Sequence, residues 1–250
     1  NSLEVASSFQ DERIHIYTKE NEGVSAARNY GIMHAKYDYI AFLDADDIWE
    51  SDYLECQKKL IGTYPDAGIY STAFYSLEKG KRKLRNVLIN EHIHFLVHDY
   101  FKESVMNGLS ICWTSSLCLK KEVIKEIPMF RVGIKRGEDL DLWLRIALNY
   151  DVAYLNLPKV FYRTGLSDSL TSDYSKNGEF PYNEWFNFTS ESSYYRKYVI
   201  LVVYIHAKNA FIHHDYDTCL AELWSVKTIA WRFKWAERLL LLVISWIKSK

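Results

Sequence analysis

Asp38-Tyr39-Ile40-Ala41-Phe42-Leu43 runs directly into Asp44-Ala45-Asp46-Asp47. A short apolar run bounded by charge reads as a buried strand, and this one delivers three carboxylates at its C-terminal end. Upstream, Asn21-Glu22-Gly23 punctuates a turn. Val24, Ala27, Gly31, Ile32 and Ala35 then recur at helical spacing, which predicts a helix over about 24–36 with an inner face of mostly small residues. Further upstream, Arg13–Thr18 alternates as a half-buried strand does, and residues 2–9 have helical character. Downstream, the pattern predicts a helix over about 51–64, a strand over 67–75, a basic exposed loop or hairpin over 80–90 and a helix over 92–106. A strand Ser115–Leu119, a helix Lys121–Ile127, a loop Pro128–Gly137, a helix over 138–149 and short strands over 151–156 and 159–163 complete the series. This alternation is that of a layered α/β domain, whose sites form at the C-terminal ends of strands. Beyond about residue 175 the texture changes to helical segments near 190–213 and 215–249. The reading is therefore one domain over 1–175 and a helical region over 176–250.

The 250 residues, 48% hydrophobic, supply a substantial core and exclude disorder. Against 31 Lys+Arg stand 32 Asp+Glu, a balance that gives no general hold on nucleic acid. Cys56, Cys112, Cys118 and Cys219 are scattered without a Cys-x-x-Cys pair, which argues against a zinc ribbon or disulfide framework and for a reducing compartment. No apolar run reaches the roughly 18 residues of a membrane span, and residues 1–20 lack a signal peptide's apolar centre. Without a secretory signal, the Asn187-Phe188-Thr189 sequon reads as chance. His92, His94 and His98 do not share one helical face, so they do not read as a zinc site.

Three constellations carry chemistry. Asp44, Asp46 and Asp47 repel one another unless water or a cation intervenes, and hard divalent ions prefer such oxygen ligands. The alternative is a capping box, Asp47 with Glu50, for the helix that follows. In Asn21-Glu22-Gly23-Val24-Ser25-Ala26-Ala27-Arg28, a turn feeding a helix brings backbone N–H groups towards an anion, with Arg28 able to pair with it or orient an acidic neighbour. The alternative is tight helix-on-sheet packing with Arg28 in a surface ion pair. In Gly137-Glu138-Asp139-Leu140-Asp141, the acids cannot all face one way: one can serve as a general base while others cap or pair, or all three can simply favour the helix dipole.

In this order, NEGVSAARNYGI, FLDADD followed by IWESDYLE, and GEDLDLWLRIA followed by VFYRTGLSDSLT resemble the family 2 glycosyltransferases over about residues 1–172. The resemblance implies a GT-A fold and inverting transfer from a nucleotide-sugar donor to a glycan or lipid-linked acceptor. It implies that Asp139 is the general base with Glu138 in support, that Asp44 contacts the ribose or sugar-nucleotide, and that Asp46, helped by Asp47, holds Mn²⁺ or Mg²⁺. Asn21, Gly23 and Arg28 would lie on the nucleotide side, Arg163 near the diphosphate and Trp113 towards the acceptor, where a core role for Trp113 is the alternative. Two departures stand out. The apolar strand and the Asp-Asp-Gly-Ser-like stretch with which relatives begin do not precede Asn1, so the chain reads as a fragment starting just beyond them. Tyr162-Arg163-Thr164-Gly165 also lacks the His that many relatives carry there. The basic and aromatic segment 231–248 suggests peripheral contact with the membrane, on its cytoplasmic face, or else packing on protein. The expected role is cell-surface polysaccharide synthesis. The rival is a non-catalytic carbohydrate- or partner-binding protein on the same fold.

Overall fold

The computed structural model describes residues 2–134, 136–165, 182–225 and Lys248. Helix α1 (Ser2–Ser7) and α2 (Val24–His34) precede β1 (Tyr39–Ala41), β2 (Ile48–Trp49), α3 (Tyr53–Thr63), β3 (Ile69–Glu78), β4 (Lys81–Arg85) and β5 (His94–Val97). Helix α4 (Tyr100–Asn107), β6 (Leu117–Lys120), α5 (Lys121–Glu126), α6 (Glu138–Ala147) and β7 (Val152–Arg163) follow, then α7 (Tyr182–Trp185), α8 (Tyr195–Ile212) and α9 (Tyr216–Ser225).

The strands form one mixed sheet in the order β1-β6-β3-β7-β2, with β4 added to β3 and β5 to β7. Its centre is the parallel pair β3–β7. Successive residues there enter opposite cores, because side chains alternate across a strand. Ile69, Leu117, Leu119, Val152 and Tyr154 pack in a large core with Trp143 of α6 and Tyr198 and Val199 of α8. Their neighbours Tyr70, Cys118, Ala153 and Leu155 pack on the other face with Leu60 of α3. Helices therefore cover both faces.

Gly68, at the entrance to β3, has no room for a side chain: a Cβ there would lie 2.6 Å from the Tyr150 Cβ. Gly68→Ala is expected to cost about 1–3 kcal/mol through overpacking, read as a lower urea midpoint. An unchanged midpoint would show that Tyr150 yields without cost.

Four expectations are corrected. Arg13–Thr18 is not a strand: no neighbouring strand completes a ladder among the described residues, and Ile14, Ile16 and Tyr17 are exposed. The 92–106 helix is instead β5, antiparallel to β7, followed by α4, whose start is capped by the Asp99 carboxylate accepting from the Lys102 N–H. The two strands over 151–156 and 159–163 are one continuous β7, with Pro158 paired at the shift in register. No Asp47/Glu50 capping box forms, because α3 starts only at Tyr53 and Ile48–Trp49 pairs with β7. The basic stretch is a hairpin, with Lys79 and Gly80 both at positive φ in its two-residue turn. All four cysteines are free.

The boundary at 175 and segment 231–247 lie outside the described residues. Among the described residues, no helix is long and apolar enough to cross a membrane.

Candidate active site

Arg28 sits just past the first turn of α2 with its side chain only 12% exposed. One guanidinium nitrogen donates to Asp44 Oδ1 and the other to Glu138 Oε1, both at 2.8 Å, while the group lies 5.3 Å over the Phe130 ring. The start of α2, the end of the first strand and the start of α6 thus meet on one cation. Asn29 fixes the loop that carries Phe130, donating to its carbonyl at 2.7 Å and accepting from its N–H at 3.0 Å.

The short turn Thr114–Ser116 joins the same motifs from the other side. Ser115 Oγ accepts from the Asp44 N–H at 3.0 Å and the Ser115 carbonyl accepts from Trp49 Nε1 at 2.7 Å. Thr114 Oγ1 donates to Asp139 Oδ2 at 3.1 Å. Asp139 is half-buried, whereas Asp141 points inward, fully buried, accepting from Trp185 Nε1 at 2.8 Å and pairing with Arg145 at 2.9 Å. The three acids of α6 therefore divide: Asp141 braces the core, Glu138 holds Arg28, and Asp139 stands beside Thr114.

Electrostatics set the character of the cluster. Burial alone would lower the Arg28 guanidinium, but the Asp44, Asp139 and Glu138 carboxylates outweigh it and hold it above its ordinary value. Burial pushes the Glu138 carboxyl up, Asp139 adds to that, and Arg28 offsets it only in part. Asp47 is 7% exposed, and burial raises its carboxyl to about 6, opposed by Ser115 and by the Arg163 N–H and reinforced by Asp46 and Asp44.

Asp47 Oδ1 accepts from the Arg163 N–H at 3.2 Å, while its Oδ2 is buried with no hydrogen bond. Arg163 Nε donates to the Asp46 carbonyl, and the Asp46 carboxylate makes no hydrogen bond or ion pair among the described residues. Among those residues no group of three or more His, Cys, Asp or Glu forms a metal cage. The orphaned buried oxygen of Asp47 and the unengaged half-buried carboxylate of Asp46 nevertheless suit a hard cation. Such a cation takes one or two protein carboxylates and completes its shell with substrate phosphates and water.

Asn21 Oδ1 accepts from the Gly23 N–H at 3.2 Å, and both residues are exposed at the start of α2, where Gly23 has φ 90°. Trp113 is half-buried, 4.6 Å from the Tyr162 ring and 5.6 Å from that of Phe74. Sequence reasoning did not find the bridging work of Thr114, Ser115 and Asn29, since single hydroxyls and amides carry no spacing signal.

The Glycosyl transferase family 2 model matches residues 1–127. The chain belongs to that family. This family 2 glycosyltransferase is 28% identical over 176 residues to the Bacillus subtilis putative teichuronic acid biosynthesis glycosyltransferase TuaG, covering 70% of this chain and 62% of that one. It is 34% identical over 142 residues to an uncharacterized glycosyltransferase of Rickettsia felis, covering 55% of this chain and 22% of the relative. The chain spans less than two thirds of the length of each. The crystal structure of S. aureus TarS superposes with a TM-score of 0.50 at 12% identity, over 74% of this chain and 31% of that one. The fold is GT-A, as the resemblance implied.

Proposed function

We propose that this family 2 glycosyltransferase moves a sugar, with inversion, from a nucleotide-sugar donor to a hydroxyl of a glycan or lipid-linked acceptor, using Mn²⁺ or Mg²⁺. The observation that carries this reading is the convergence of Asp44 and Glu138 on Arg28, with Asp139 adjacent in the chain to Glu138. The residues proposed for the donor side and for the acceptor side are thereby brought near one another. Synthesis of a cell-surface polysaccharide, at the inner face of the membrane, is the proposed setting; the name of the teichuronic acid relative supports the polysaccharide part of it.

Asp139 accepts the proton of the acceptor hydroxyl, whose oxygen then attacks the anomeric carbon in line with the departing diphosphate. The Thr114 hydroxyl holds the Asp139 carboxylate in one orientation. Glu138 acts through Arg28, which keeps Asp44 towards the sugar-nucleotide. Asp46, with the buried Asp47 oxygen, would hold the cation, which when bound neutralises charge on the leaving nucleoside diphosphate. Arg163 borders the diphosphate, Asn21 and Gly23 the nucleotide, and Trp113 the acceptor.

Calorimetric titration of UDP, GDP and TDP sugars, with and without Mn²⁺, tests the reading. Metal-dependent binding of one nucleotide class supports it, whereas silence from folded full-length protein favours a non-catalytic binding role. Asp46→Ala is expected to weaken the metal-dependent component at least about tenfold, consistent with losing a charged ligand. Undiminished binding would remove Asp46 from the metal site.

A further inference from the structure

Residues 78–85, Glu78-Lys79-Gly80-Lys81-Arg82-Lys83-Leu84-Arg85, carry five cations and one carboxylate in a chain whose net charge is only -1. All of β4 is exposed, and among the described residues none of the five cations forms a salt bridge. Arg82 lies 4.8 Å over the Phe161 ring, and Arg85 Nε donates to Ser76 Oγ. Both contacts steady the cations without neutralising them.

Next to this ribbon the chain displays apolar side chains. Leu84 is 48% exposed, Val87 44% and Ile89 99%. Their exposure is fixed by the residues between them. Asn86 is buried and donates to the Ser110 carbonyl at 2.9 Å. Leu88 is also buried, its N–H and C=O both bonded to the Asn156 side chain. Val87 and Ile89 are thereby presented outward from a pinned backbone. Unpaired cations beside outward apolar side chains match an anionic bilayer interface, where the charges meet headgroups and the aliphatic tips enter the acyl boundary. A soluble polyanion would use the cations and leave Ile89 idle.

The ribbon is also tied to the site. Strand β4 pairs with β3, and β3 pairs with β7, so that Arg82 lies opposite Leu77 and Leu77 opposite Arg163, the residue on the acidic turn.

We propose that the β3–β4 hairpin with Val87 and Ile89 docks this protein on an anionic lipid surface and so holds the acidic turn beside the membrane. Co-sedimentation of the full-length protein tests it, using vesicles of phosphatidylcholine alone or with phosphatidylglycerol. Binding is expected only with phosphatidylglycerol and should fall as salt rises. K81E/K83E is expected to lower that binding at least about 20-fold, at roughly fivefold per cation removed from the surface. The fully exposed Ile89→Ser should lower it severalfold without touching the fold or the charge. The proposal is overturned if the wild-type protein ignores phosphatidylglycerol vesicles, or if both variants bind them undiminished. It is equally overturned if soluble polyphosphate binds as tightly as the vesicles and Ile89→Ser changes neither.

Discussion

Asp139→Asn is expected to lower kcat by about 10²–10⁴-fold, the usual contribution of a positioned general base. Donor and metal binding should change little. The substitution preserves volume, and an Asn carbonyl oxygen can still accept the Thr114 hydroxyl, which now reaches Asp139 Oδ2 at 3.1 Å. The Arg28 clamp does not depend on it, because the hydrogen bonds of Arg28 go to Asp44 and Glu138. What is lost is an oxygen able to take a proton. Product formation under saturating donor gives kcat, and calorimetry on the same variant gives the donor affinity. Turnover within twofold of wild type would remove Asp139 from the base role. Equal losses in binding and turnover would instead assign it to holding the donor.

The motif residues were legible because each lies in a local pattern. Carboxylates follow an apolar run at 44–47, and acids open a helix at 138–141. Their division of labour was not legible, since it depends on contacts distant in sequence. Only the fold reveals that Asp141 faces Trp185 and Arg145 while Glu138 faces Arg28. The failed strand at Arg13–Thr18 makes the same point about backbone. Alternation states what a ladder would accept, yet a ladder requires a second strand, and none lies beside it among the described residues. At 92–106 the pattern read as one helix carrying several His and aromatic residues. Pairing of His94–Val97 with β7, and the Asp99 cap, decided where strand ended and helix began. Ser115 was legible only as the start of a strand, which in fact begins at Leu117 after the turn Thr114–Ser116. The function of Thr114 and Ser115 comes from a turn placed between two carboxylate motifs.

Arg28→Met is expected to destabilise the fold by about 3–5 kcal/mol at pH 8, the range for removing one partner of a buried pair. Methionine fills most of the space over Phe130 but leaves Glu138, 12% exposed in its side chain, without a counter-charge. Asp44 is 35% exposed and can turn towards water, so its share of the loss is the smaller one. The pH dependence distinguishes this account from a simple packing defect. The folded Glu138 carboxyl lies above its ordinary value even with Arg28 present, because burial outweighs the pair. Such a group stabilises below its unfolded value, and that contribution is lost as pH rises through the folded value. Without Arg28 the folded value moves higher still, so the penalty should grow from pH 5 to pH 8. Urea unfolding of wild type and variant at both pH values measures it. Adding Glu138→Gln to Arg28→Met should recover a substantial part of the loss at pH 8 and little at pH 5, since the double variant no longer buries an unpaired charge. A penalty flat with pH, or no recovery in the double variant, would mean that Arg28 contributes through packing on Phe130 and not through its charge.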